Sequence, residues 1–169
     1  MCRNIFYVSI LTGTLALAGC DAADPVAYAG PPLAADGSPV TLMECRSTDS
    51  DAALGLLGPL GGVLQLDGHR VELPLLAVLR PTLFVLSTPE SEYMMVDIKA
   101  QGLLDFWFRR PISVTIDYSR CDRDAVPSGV WYIDHDTGEP LENMGGVNDP
   151  ARRRITFITS HLSAYALAD

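Results

Sequence analysis

The sequence predicts an all-β fold, a single antiparallel β-sandwich that follows a disordered tether. From Val63 onward apolar residues recur with a period of two, and turn residues interrupt the β-rich runs every eight to twelve positions. No segment has the apolar spacing of a long amphipathic helix. The 169 residues suit one domain with a tether.

The N-terminal residues 1–19 predict a secretory signal peptide. Arg3 is their one charged residue, and an apolar stretch fills residues 5–17. This stretch is shorter than the ~20 residues that a helix needs to span a bilayer, which favours a cleaved leader over an uncleaved anchor. Leu17-Ala18-Gly19-Cys20 resembles the lipobox of bacterial lipoproteins and predicts cleavage before a lipidated Cys20.

Lipidation of Cys20 predicts where the mature protein is found. Several acyl chains on one cysteine, palmitate among them, hold firmly because each buried methylene contributes ~0.8 kcal/mol. We expect a protein of the bacterial cell envelope, anchored to a membrane and facing the periplasm or the cell exterior.

Residues 20–40 are predicted to form the lipidated cysteine and a flexible tether, and residues 41–169 the β-sandwich domain. The tether is rich in Ala, Gly and Asp and contains Pro25, Pro31, Pro32 and Pro39. Loss of the leader removes Arg3 and changes the formal net charge from −9 to −10. This acidity argues against nucleic acid and against anionic lipid head groups as partners.

Ten segments have the composition of strands. The clearest is Ile112-Ser113-Val114-Thr115-Ile116-Asp117-Tyr118, where apolar and polar residues alternate strictly. Residues 47–53 are interpreted as a polar connection, and residues 54–62 as an apolar segment in which Gly and Pro exclude a long helix. The predicted strands are residues 41–45, 63–66, 70–73, 82–87, 93–100, 104–108, 112–118, 130–134, 154–159 and 164–167.

The cysteines predict one disulfide. Of the four, Cys2 leaves with the leader and Cys20 takes lipid, so Cys45 and Cys121 remain to pair in an oxidising compartment. The bridge would close a loop of about 75 residues and stabilise the fold by ~4 kcal/mol. Two isolated cysteines without Cys-x-x-Cys spacing make a metal pair the weaker alternative.

Two polar clusters each allow a functional and a structural interpretation. Asp134, Asp136 and Gly138 have the spacing of a calcium loop, but the twelfth position is Gly145 rather than glutamate, so a hairpin turn is favoured. The run 152–154 of three arginines is interpreted as a solvated strand end in preference to an anion site.

The histidines and the two tryptophans complete the set of candidate residues. His69, His135 and His161 lack metal-ligand spacing, and we predict neither a metal nor a cofactor. Phe106, Trp107 and Phe108 are expected to pack in the core and under a loop, although strand alternation must leave Trp107 or both phenylalanines outside the core. The alternative, suggested by Trp107 and Trp131, is a carrier of a small apolar or glycan ligand.

The terminal residues carry the one constellation that suggests chemistry. A serine can attack the preceding carbonyl carbon if a nearby histidine accepts its proton, and water then cleaves the resulting ester. His161 and Ser163 are two apart, which on a strand would place both on one face. The alternative interpretation is a structural histidine and serine at the entrance of a strand.

Residues 58–169 resemble a ZU5 domain, the β-sandwich module of ankyrins and netrin receptors. Gly58-Pro59-Leu60-Gly61-Gly62 is similar to the opening of the family, and His161-Leu162-Ser163-Ala164-Tyr165 to its His-Phe-Ser-x-Tyr ending. Leu76 and Leu162 stand where the family has glycine and phenylalanine. The resemblance implies a protein-interaction or scaffold module, and in some members a self-cleavage site, here between Leu162 and Ser163.

The function expected from these features is that of a membrane-anchored envelope lipoprotein whose domain has a non-enzymatic protein-interaction or structural role. Its partners would be membrane lipid, through acylated Cys20, and an envelope protein. The alternatives are an autoproteolytic module that uses His161 and Ser163, and the ligand carrier. Only residues 163–169 would follow the cleavage site, with no downstream domain in this sequence to release.

Overall fold

The structure, a computed structural model, describes residue 33 and residues 37–47, 50–103, 106–135 and 137–169. The predicted leader, Cys20 and most of the tether lie outside the described residues. Within them the chain is all-β, as predicted. In this part of the chain, no helix has the length and apolar character needed to cross a bilayer.

The described strands follow one another along the chain with short connections. They are β1 (Glu44–Ser47), β2 (Asp51–Leu57), β3 (Gly62–Leu66), β4 (His69–Leu73), β5 (Thr82–Thr88), β6 (Ser91–Tyr93), β7 (Met95–Ala100), β8 (Trp107–Asp117), β9 (Gly129–Ile133), β10 (Pro140–Gly145), β11 (Val147–Asp149), β12 (Arg154–His161) and β13 (Ala164–Ala168).

Two antiparallel sheets form the sandwich. One has six strands in the order β10-β9-β13-β7-β5-β2, and the other has five in the order β11-β12-β8-β4-β3. β1 and β6 make a small sheet of their own. Residues 162–163 carry the chain from β12 in the five-stranded sheet to β13 in the six-stranded one.

The interior is built from alternate residues of the strands, as the period of two predicted. In β8, Ile112, Val114 and Ile116 are buried, whereas Ser113 and Thr115 between them are half-buried. Burial of each such aliphatic side chain stabilises the fold by about 1.5–3 kcal/mol. The alternation of the sequence therefore fixes which face of β8 meets the core.

A second apolar cluster lies on the opposite face of the six-stranded sheet. Its buried members alternate along β9 and β13 with residues of the main core, and they are Trp131, Ile133, Ala164, Ala166 and Ala168. Val40 and Leu42 pack against them, and Leu42 bridges to Ala168. Val40, the last residue of the predicted tether, thus contacts the sandwich.

β2 is a correction to the sequence-based prediction, which placed a polar connection and a glycine-rich segment there. β2 pairs with β5 over its whole length, from Asp51 opposite Thr88 to Leu57 opposite Thr82. Gly55 lies close to β3, because a Cβ added at Gly55 would be 3.0 Å from Leu64 Cδ1. Gly55 lies on the half-buried face of β2, whereas Leu54 and Leu56 are exposed, so the apolar–polar alternation typical of a strand is missing.

β10 and β11 were not among the predicted strands, and other differences concern strand boundaries. The predicted first strand, residues 41–45, is observed at Glu44–Ser47. The predicted strands 104–108 and 112–118 are one strand, β8, which contains Pro111, although residues 104 and 105 lie outside the described part. The predicted strand 93–100 is divided at Met94 between β6 and β7, and the remaining predicted strands are confirmed, with differences of a few residues at their ends.

Candidate functional site

The motif His161-Leu162-Ser163 lies where the chain crosses between the two sheets. β12 ends at His161 and β13 begins at Ala164. The Leu162 N–H donates to the Phe106 carbonyl oxygen at 3.3 Å, and the Ile98 N–H donates to the Ser163 carbonyl oxygen at 3.0 Å. The peptide bond between Leu162 and Ser163 is therefore held on both sides of the crossing.

Aromatic side chains surround His161. Its ring centroid lies 5.1 Å from that of Tyr132 and 5.4 Å from that of Trp107. The Tyr165 hydroxyl donates to the His161 carbonyl oxygen at 2.8 Å and lies 3.4 Å from Nδ1. Burial raises the pKa of Tyr165, so the hydroxyl stays protonated and remains a donor at neutral pH.

The expectation that His161 and Ser163 share one face of a strand is wrong, because β12 ends at His161 and Ser163 belongs to the crossing. Ser163 is buried, and no hydrogen bond among the described residues joins its hydroxyl to His161. Proton transfer between them would require a side-chain movement or a bridging water. Self-cleavage stays a prediction, and β13, paired with β7 and β9, would keep a cleaved terminal segment bound.

The aromatic residues 106–108 alternate between the core and the surface, as strand alternation requires. Phe106 and Phe108 pack against Phe84, with ring centroids 5.5 and 5.8 Å away. Trp107 is 70% exposed, so the expectation that it packs in the core is wrong. The main core takes both phenylalanines, and Trp107 is left at the surface beside His161.

Cys45 and Cys121 form the predicted disulfide, with their Cα atoms 4.8 Å apart. The bridge joins β1 to the loop that follows β8. β1 pairs with the three-residue β6, and the bridge adds a covalent link to backbone hydrogen bonds that join the flanking residues Met43 and Met94 to Leu167 of β13.

Arg153 holds the loop that carries Cys121, a role that the sequence did not reveal. Its guanidinium donates to the carbonyl oxygens of Tyr118, Cys121, Asp122 and Arg123. It also lies 5.2 Å from the centroid of the Tyr118 ring. The neighbouring arginines pair with carboxylates, Arg152 with Asp149 and Arg154 with Asp117.

Replacing Arg153 by methionine, which keeps much of the apolar stem, is expected to lower the free energy of unfolding by about 2 kcal/mol. The reason is that several charge-assisted hydrogen bonds to one loop are lost together. Urea denaturation monitored by circular dichroism would measure the change. Arg152→Met is the matched control, because its only described ion pair is exposed, and equal losses in the two variants would contradict the assigned role.

The hairpin between β9 and β10 confirms the turn interpretation of residues 134–139. The Thr137 N–H donates to Asp134 Oδ1 at 2.8 Å, and Gly138 has a φ of +73°. Asp134 Oδ1 thus stabilises the turn itself. Among the described residues no group of three metal-ligating side chains is found, and Asp136 lies outside them.

A groove of about 850 Å³ is the place where a small ligand would fit. Its lining is mainly apolar and includes Leu54, Val85 and Leu103, with Lys99 and His135 as polar members. Neither tryptophan lines it. Trp131 is buried in the second apolar cluster, so of the two tryptophans only Trp107 is accessible.

The geometry defines a disulfide-bonded antiparallel β-sandwich with an aromatic, histidine-containing crossing between its sheets. No protein-family model matches the chain, and a search of curated proteins found no match. The ZU5 resemblance therefore stays a prediction that rests on the quoted motifs.

Proposed function

We propose that the protein is a lipid-anchored lipoprotein of the bacterial cell envelope, whose ZU5-like β-sandwich has a non-enzymatic interaction or structural role. The observation that carries the proposal is the Cys45–Cys121 disulfide. Such bridges persist in oxidising compartments, which agrees with export. The pairing also leaves Cys20, at the end of the lipobox, as the thiol that takes lipid.

The edge of the six-stranded sheet supports an interaction role. β2 is the last strand of that sheet, and its exposed side chains include Leu54 and Leu56, which are 64% and 69% exposed. No lysine or proline occurs within β2 to discourage pairing with another strand. An extended segment of an envelope protein could therefore add to this edge through main-chain hydrogen bonds.

The anchoring part of the proposal is tested by Cys20→Ser in the full-length chain. We expect wild type to enter the detergent phase in Triton X-114 partitioning and the variant to be unacylated, since serine offers no thiol to the acyl transferase. Metabolic labelling with an alkyne palmitate analogue should mark wild type alone. The control is Cys45→Ser/Cys121→Ser, which should still be labelled, and label on the Cys20→Ser chain would contradict the proposal.

A further inference from the structure

Four exposed leucines gather on two loops at one end of the sandwich. Leu60 lies on the β2–β3 turn and is 87% exposed. Leu75, Leu76 and Leu79 lie on the β4–β5 loop and are 55%, 42% and 54% exposed. We call these four residues the leucine tip. Several exposed leucines side by side mark an interaction surface, unlike single ones scattered over a protein.

Backbone contacts join the two loops that carry the leucine tip. The Leu76 N–H donates to the Pro59 carbonyl oxygen at 2.8 Å. Pro81 lies against Gly58, where an added Cβ would be 3.7 Å from the Pro81 Cα. Gly61 has a φ of +74°, and an added Cβ there would lie 2.3 Å from the Leu73 carbonyl oxygen. The close approach of the loops thus depends on a glycine.

Several backbone positions of the two loops need no acceptor from solvent, which matters in an apolar medium, where an unpaired N–H is costly. Pro59, Pro74 and Pro81 have no N–H to satisfy. Two further N–H groups, those of Gly61 and Ala77, donate within their own turns to the carbonyl oxygens of Gly58 and Pro74. Many backbone positions in these loops therefore either have no N–H or already donate it within the loops.

Leu76 has a backbone conformation that is unfavourable for leucine. Its φ is +62°, in the left-handed region that favours glycine. Glycine would fit the turn without strain, whereas the leucine side chain remains 42% exposed. Strained residues are enriched at functional sites, which agrees with a role for this side chain.

Three arginines stand beside the leucine tip in an otherwise acidic protein. Arg80 follows Leu79 on the same loop, and the Arg109 N–H donates to the Ala77 carbonyl oxygen at 2.9 Å, which places Arg109 and Arg110 next to that loop. All three are exposed, and none forms a salt bridge with another described residue. The acidic β9–β10 hairpin lies at the opposite edge of the six-stranded sheet from β2. These arginines place positive charge at this end although the net charge is −9, so the expectation from overall acidity that anionic head groups are not partners does not extend to this surface.

We propose that the leucine tip inserts into the surface of a bilayer that contains anionic lipids, with Arg80, Arg109 and Arg110 contacting the head groups. The proposal rests on the proposed membrane anchor, and it adds a second, non-covalent attachment that orients the domain. An exposed cluster of leucines flanked by cations fits a deformable bilayer surface. The cores of protein interfaces, by contrast, are enriched in aromatic anchors, and the four residues of the leucine tip include none.

Tryptophan fluorescence of the mature lipoprotein in vesicles tests the insertion. Trp107 begins the strand that carries Arg109 and is 70% exposed, whereas Trp131 is 5% exposed and serves as an unquenched reference. The vesicles contain phosphatidylethanolamine and phosphatidylglycerol with bromine atoms near the top of the acyl chains. We expect Trp107 emission to shift to the blue and to be quenched, relative to vesicles of the same lipids without bromine.

Matched variants distinguish the effect of the leucine tip on quenching from that of the lipid anchor. Leu60→Asp/Leu79→Asp should lose the quenching while the lipidated protein stays in the vesicles, and Val126→Asp/Val147→Asp, at exposed apolar positions elsewhere, should keep it. Neutralising the three arginines to glutamine should reduce quenching to its level in phosphatidylcholine. Equal emission with and without bromine, or equal quenching in the Leu60→Asp/Leu79→Asp protein, would overturn the proposal. The intact mass of the same sample reports the lipid separately, so failure of the anchor is distinguishable.

Discussion

Loss of the Cys45–Cys121 disulfide is expected to lower the free energy of unfolding by about 4 kcal/mol. The two cysteines are separated by 76 positions, so the bridge removes much of the freedom of the unfolded chain. It also fixes β1, whose strand partner β6 has only three residues. Urea denaturation of wild type and of Cys45→Ala/Cys121→Ala, both without reductant, would measure the difference.

Two comparisons make this result specific. Cys20→Ser keeps the bridge and should unfold at the wild-type urea concentration, whereas wild type with reductant should approach the double variant. Unfolding curves of wild type that coincide with and without reductant would contradict a stabilising disulfide.

Acid is expected to weaken the fold through His69, by about 3 kcal/mol between pH 7 and pH 4. His69 is buried, and its Nδ1 accepts the Asp117 N–H at 3.2 Å. Burial, with a further contribution from Arg120, lowers the pKa of His69 from 6.5 to about 4. Asp117 and Asp67 act in the opposite direction, and Arg154 adds to the lowering.

The sign follows from proton binding. Between pH 6.5 and pH 4 the unfolded chain binds a proton on His69 that the folded chain does not, so the free energy of unfolding falls as the pH falls through this window. Above pH 6.5 the contribution of His69 is fully present. His69→Gln removes the titrating group, and its stability should change less between pH 7 and pH 4. Parallel pH profiles for the two proteins would contradict the assignment.

The sequence predicted the strands whose side chains alternate. β8 and β12 were recognisable because one face of each strand is apolar and the other polar, and this difference is itself a product of burial. β2 was hidden because its half-buried face includes Gly55, while its exposed face carries Leu54 and Leu56, so the apolar–polar alternation is absent. Which face of such a strand is buried depends on the tertiary structure and leaves no local pattern.

The candidate site was only partly predictable, because its geometry depends on contacts between distant residues. The aromatic neighbours of His161 include Trp107 and Tyr132, which belong to different sheets. Arg153 could not be distinguished from Arg152, since its carbonyl partners lie 30 to 35 residues away. The cysteine pairing, by contrast, could be predicted from the sequence, because only two cysteines remained once the leader and the lipobox had been assigned.

The intact mass of the membrane-extracted protein, under denaturing and non-reducing conditions, tests the lipid anchor, the disulfide and the terminal motif in one measurement. We expect a single acylated chain that begins at Cys20, includes Asp169 and is two hydrogens lighter than the reduced form. Denaturation matters because β13 would otherwise retain a cleaved terminal peptide. A chain that keeps its leader or lacks acyl mass would contradict the anchor, and a chain that ends at Leu162 would make the terminal motif an autoproteolytic site.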